Sequence, residues 1–225
     1  MVFTLRGIYM ARKNNLAFKL IESNSLYDKL FAMLLVSIKD IKWANFFMKQ
    51  MDFIKSISTI TVEFGKRSCY SNEKICINFD DALVGIGVIV HEYGHYVFDK
   101  MISKEEEEVI TNLFKEEVAH LIEVEGLLAK LHKKYCPSIN WMRICFDDRC
   151  CPSMLTDGIK LLGGKSSLGR NHNYDYPPDY LATELFAEVL EAEVLNLDIP
   201  ISIYKGECPR TYAYIKNKIY ATLKP

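Results

Sequence analysis

No apolar run in this chain reaches the length of a membrane span. The most hydrophobic early stretch, Leu30 to Ile38, follows polar helix residues and lacks a small-residue cleavage site, so it does not read as a signal peptide. Nor is there a basic stripe with interleaved aromatics. Lysine and arginine total 28 against 29 acids, for a formal net charge of −1, and the chain is expected to bind neither nucleic acid nor membrane. Internal repeats, low-complexity tracts and C-x-x-C pairs are all missing. Seven cysteines, an odd number, with no secretory signal point to reduced thiols and a cytoplasmic setting. What remains is 225 residues, 49% of them apolar, enough to bury a sizeable core.

One stretch carries chemistry. His91-Glu92-Tyr93-Gly94-His95 follows the apolar run Ile86-Gly87-Val88-Ile89-Val90 and precedes Val97-Phe98. Histidines at i and i+4 lie one above the other on a helix, so both imidazoles can reach one ion, and the glutamate after the first can take a proton from water held there. A catalytic zinc keeps one tetrahedral position open and acidifies the water in it to near neutrality. The apolar flanks put the motif on a largely buried helix, where ionisable groups are costly unless paired or bound to metal.

Two histidines need a third protein ligand. Glu184 and Glu188 lie one turn apart within Glu184-Leu185-Phe186-Ala187-Glu188, on an otherwise apolar helix. One can bind zinc while the other accepts the free N–H of a ligand histidine. Asp99, four residues after His95, is a rival ligand, but its place on the same helix suits a supporting role better.

Around these motifs the periodicity predicts an N-terminal helical region, 1–52, packed on a second region, 53–225. Ser25 to Met51 reads as one long amphipathic helix capped by Ser25, after an opening segment without a clean period. Ile54 to Phe64 and Ile75 to Phe79 alternate as strands, with Cys69 and Cys76 facing across a hairpin or buried as free thiols. An exposed sheet edge there can hold an extended peptide. The metal helix is expected from Asp80 or Asp81 to Met101, followed by a Ser103-capped helix running to about Lys134 with His120 at a packing or surface position. His132, Cys136, Cys145, Cys150 and Cys151 could make a second, structural zinc site, though they lack the C-x-x-C pair that such sites usually contain. A short helix over Pro152 to Leu162, a glycine-containing loop over Gly163 to Tyr176, a helix over Tyr180 to Leu195 and a last one over Thr211 to Leu223 complete the reading.

The pair His91-Glu92-Tyr93-Gly94-His95 and Glu184-Leu185-Phe186-Ala187-Glu188 resembles the catalytic domain of anthrax lethal factor and its relatives, which show H-E-F-G-H followed by E-F-F-A-E. Arg210 to Ile219 is similar to that domain's last helix. Leu155 to Glu188 is similar to the zincin-like domains of phage minor head proteins, whose G-H-x-x-x-Y stretch is matched by Gly169, His172 and Tyr176 with two residues between glycine and histidine. The gap between motifs is longer than in lethal factor, and the cysteine-bearing segment has no counterpart there. The resemblance implies an α+β zincin-like domain, with a small sheet on the metal helix and a largely helical C-terminal part. It implies zinc held by His91, His95 and Glu184, with Glu92 as general base. It implies a tyrosine that stabilises the oxyanion, with Tyr176 the nearest match and Tyr180 the rival. The expected activity is endopeptidase hydrolysis of a peptide or protein substrate, with phage or virion association as one setting. The alternative is a structural or interaction protein, such as a phage head-associated protein or toxin-immunity partner, that keeps zinc without turnover.

Overall fold

The computed structural model describes residues 5–63, 66–79, 82, 86–137, 155, 159 and 180–225. The opening segment, without a clean period, forms helix α1 (Leu5–Ile21). The long helix expected from Ser25 to Met51 is instead two, α2 (Leu26–Ser37) and α3 (Ile41–Ile57). Ser25 caps α2 as expected. At the break Ile38 turns extended, and Asp40 recaps by accepting the Lys42 N–H at 2.7 Å. The buried Lys13 ammonium donates to the Ile38 carbonyl at 3.0 Å, satisfying an acceptor near the interrupted helix end. Apolar periodicity survives because Leu30, Leu34, Trp43 and Phe47 all reach one core.

The strand expected from Ile54 starts later. Burial of Phe47 and Ile54 extends α3 to Ile57, so packing overrides the β-branched run, and β1 is only Ser58–Thr61. With β2 (Cys69–Ser71) and β3 (Lys74–Asn78) it makes a sheet of order β1-β3-β2. β3 runs parallel to β1, with Ser58 opposite Ile75, and antiparallel to β2. Asn72 and Glu73, both at positive φ (49° and 62°), close the β2–β3 hairpin in the tight primed form that matches strand twist. Cys69 does face Cys76, but neither thiol is buried: β2 is an edge strand, which leaves Cys69 exposed and Cys76 half-buried.

The helix expected to carry the metal motif is α4 (Val88–Met101), with Gly87 as its N-cap rather than a start near Asp80. Ser103 opens α5 (Lys104–Val118) with a full capping box to Glu106. The helix expected to reach Lys134 stops sooner. A 3₁₀ turn (Ala119–Leu121) follows, Gly126 takes left-handed φ of 63°, and α6 (Leu127–Tyr135) starts anew. His120 lies on the surface, 3.9 Å from Glu207. Leu155 and Ile159, both helical and buried, are the described part of the helix expected at Pro152 to Leu162. The chain ends in α7 (Leu181–Leu195), α8 (Asp198–Glu207), which the sequence did not signal, and α9 (Pro209–Leu223).

α7 is apolar on nearly every side and runs through the middle of the core. Its acids are paired as burial demands: Glu188 accepts the Tyr204 hydroxyl, and Glu193 that of Tyr212 with the Lys216 ammonium at 3.0 Å. α4 lies directly against α7. A Cβ on Gly94 would come within 2.7 Å of the Ala187 Cα, so the motif's glycine sets how closely the two helices approach. From the other side Phe46 and Phe47 of α3 pack on Tyr93, and the expected region boundary after residue 52 falls inside α3. The architecture is α+β in the general sense, mostly helical with a small mixed sheet. Among the described residues no helix is long and apolar enough to cross a membrane.

Candidate metal centre

Because α4 and α7 touch, residues almost ninety positions apart in sequence meet. His91 and His95 lie one turn apart on α4, and Glu184 enters from the first turn of α7. The two imidazole nitrogens and the Glu184 carboxylate form a triangle in which each histidine faces a different carboxylate oxygen: His91 Nε2 to His95 Nε2 3.1 Å, His91 Nε2 to Glu184 Oε2 3.3 Å, His95 Nε2 to Glu184 Oε1 3.5 Å. Three ligands at about 2.05 Å from a tetrahedral zinc would be about 3.3 Å apart. The three separations bracket that value, with the carboxylate turning one oxygen to each histidine, and one donor atom from each of the three residues lies within 4.8 Å of the others. Among the described residues this is the group able to hold a metal ion.

The orientation of the rings fits the same reading. His95 Nδ1 lies 3.0 Å from Thr183 Oγ1, and an N–H on that nitrogen leaves the Nε2 lone pair aimed into the triangle. Two Nε2 lone pairs beside a carboxylate repel one another unless a cation sits among them. Without metal a proton does this: burial pulls the His91 pKa down, but the facing carboxylates of Glu184 and Glu191 outweigh it and hold His91 well above the ordinary imidazole value. Glu184 is raised by burial but lowered further by His91. Burial and the neighbouring His91 cation push His95 down to about 3.

The sign of metal binding against pH follows. Metal needs both imidazoles deprotonated, so protons compete and affinity falls with falling pH. Between about pH 5 and 6.5 the metal-free histidine pair is expected to hold one proton between its two rings, since burial and the shared charge let one imidazole ionise and not both. The logarithm of zinc affinity, measured by calorimetry across that window, should therefore rise by about one per pH unit, with one proton released per ion. A slope near two would show that both imidazoles begin protonated.

Other expected residues fall differently. Glu92 is buried; burial raises the Cys69 pKa and the Glu92 charge adds to that, as it adds to the effect of Glu184 and Glu191 on His91. Asp99 does not support the ligands: it accepts the Tyr70 hydroxyl at 2.8 Å and pairs with Lys100, because one further turn along α4 carries it past the site. Nor is Glu188 the carboxylate at a ligand histidine, since it takes the Tyr204 hydroxyl, whereas Glu191 faces His91 Nδ1 at 3.6 Å. Glu191 was legible as the residue seven after Glu184, on the same helix face. Tyr180 donates to Glu184, with its ring centroid 5.6 Å from that of His95. Tyr176, Gly169 and His172 lie outside the described residues, as do Cys145, Cys150 and Cys151.

Beside His95 a cavity of about 270 Å³ runs between Tyr180 and Thr183 on one side and Tyr70 and Phe98 on the other, out to Ile102 and Glu107. No protein-family model, curated protein or solved structure matches the chain.

Proposed function

We propose that this protein is a zinc-dependent endopeptidase with a zincin-like catalytic domain of the lethal-factor type. The observation that carries the reading is the His91–His95–Glu184 triangle of zinc-compatible dimensions with an intact Glu92 on the same helix. A bound zinc ion would supply a Lewis acid that acidifies water and polarises a scissile carbonyl. His91, His95 and Glu184 would hold it. Glu92 would take the proton of the attacking water and pass it to the leaving amine. The cavity beside His95 gives a substrate side chain room next to the reacting bond, and the outer edge of β2 offers backbone groups to an extended peptide. A zinc-holding structural protein needs the three ligands but has no use for a buried glutamate beside them.

The test is hydrolysis of a peptide library by the zinc-loaded protein. Cleavage should stop on chelation and return on adding zinc; cleavage that survives complete removal of metal sinks the proposal, and no cleavage at all favours the structural alternative.

Two tyrosines are separable by the quantity each moves. A phenol that bonds only the oxyanion acts in the transition state, so Tyr176→Phe should lower kcat by about a hundredfold at nearly constant KM. Tyr180 holds Glu184, so Tyr180→Phe should instead weaken zinc binding while leaving kcat of the fully loaded protein within a few-fold. Reversal of the two patterns would make Tyr180 the oxyanion donor.

A further inference from the structure

We propose that Glu191 is the positioning residue for His91, and that Gly87 is glycine in order to admit it. The inference rests on the metal site proposed above. Gly87 is the N-cap of α4 with φ of −58°, a backbone conformation open to any residue, so conformational freedom does not explain a glycine there. Space does. A Cβ at position 87 would lie 1.9 Å from Glu191 Oε1, 2.7 Å from its Cδ and 3.1 Å from its Cγ. The Glu191 carboxyl group therefore fills the volume that any other residue's side chain would claim.

That volume adjoins the first turn of the helix bearing both histidines. The helix dipole favours a negative charge there. The carboxyl group thus sits against Gly87 at the start of α4, and its Oε2 faces His91 Nδ1 at 3.6 Å, an ion-pair separation just beyond hydrogen-bond length. A carboxylate fixed in that place selects the Nδ1–H tautomer of His91 and holds the ring so that Nε2 points into the triangle, as Thr183 does for His95. Each ligand imidazole then has its own orienting group, and both groups come from α7.

The experiment is a double-mutant cycle on zinc affinity, read by competition with a chromogenic chelator, with the visible spectrum of the cobalt-substituted protein as the coordination readout. Glu191→Ala should weaken zinc about 10- to 100-fold and alter the cobalt bands. Gly87→Ala should weaken it too, because the new methyl group displaces the carboxylate. The decisive arm is the double variant. With the Glu191 side chain gone the methyl has nothing to displace, so Gly87→Ala/Glu191→Ala should match Glu191→Ala within about twofold. Additive losses, or zinc affinity in Glu191→Ala within about threefold of the parent, overturn the inference while leaving the metal site standing. A parent protein that takes up no zinc overturns both. Thermal melts of the metal-free proteins identify a variant that does not fold; should Gly87→Ala be one, Glu191→Ala and its cobalt spectrum decide alone.

Discussion

Glu92→Gln is expected to bind zinc as tightly as the parent, to melt at a similar temperature, and to lose about a thousandfold or more in kcat. The reasoning separates ligand from base. Glu92 shares a helix with both imidazoles, is buried, and is not one of the three residues whose donor atoms converge. Glutamine keeps the shape and much of the hydrogen-bonding capacity of the side chain, so packing is little disturbed. It cannot accept a proton at neutral pH, and a positioned general base contributes about a hundred- to ten-thousandfold on its own. Zinc content by elemental analysis, melting temperature and turnover on one peptide are measured together. Turnover within about tenfold of the parent in a fully loaded variant would assign the base, or the reaction, elsewhere.

The second large effect concerns the metal. His91→Ala, His95→Ala and Glu184→Ala should each lose stoichiometric zinc after gel filtration, a loss well beyond the 10- to 100-fold that outer partners such as Glu191 command. Each removes one vertex of the triangle, leaving a pair of protein ligands where zinc sites of this kind use three. The variants differ in what they leave behind. His95→Ala empties a buried position and strips Thr183 of its partner, so the fold should weaken as well. Glu184→Ala removes the carboxylate that shares a proton with His91, and the His91 pKa should fall toward its ordinary value. Full zinc occupancy in both histidine variants would overturn the ligand set. Retained occupancy in Glu184→Ala alone would point to a different third ligand.

The helical repeat made part of this site legible in advance. Residues four apart on one helix share a face whatever the rest of the fold does, so His91 and His95 could be paired from their spacing alone. Glu184 and Glu188 could be placed one turn apart in the same way. The capped start of α5 and the strand at Ile75 were equally local, the one a matter of Ser103 and Glu106, the other of alternating side chains. Local signals also misled. The apolar period from Leu26 to Phe47 gave no sign of the break at Ile38, because both helices feed one core and the period continues across it. The β-branched run after Ile54 looked extended until the burial of α3 drew its first residues into a helix.

What the sequence determined by itself was the chemistry of the motif, two imidazoles and a glutamate on one helical surface, and a short choice of carboxylates to complete it. Tertiary structure decided which carboxylates meet the histidines. That depends on how α7 is rotated and how near it lies to α4, which is set by packing remote in sequence such as Gly94 against the Ala187 backbone. In the resulting packing Glu184 and Glu191 face the histidines, and Glu188 turns to Tyr204. A helical spacing fixes angles within one helix; the angle between two helices is fixed only when their side chains pack.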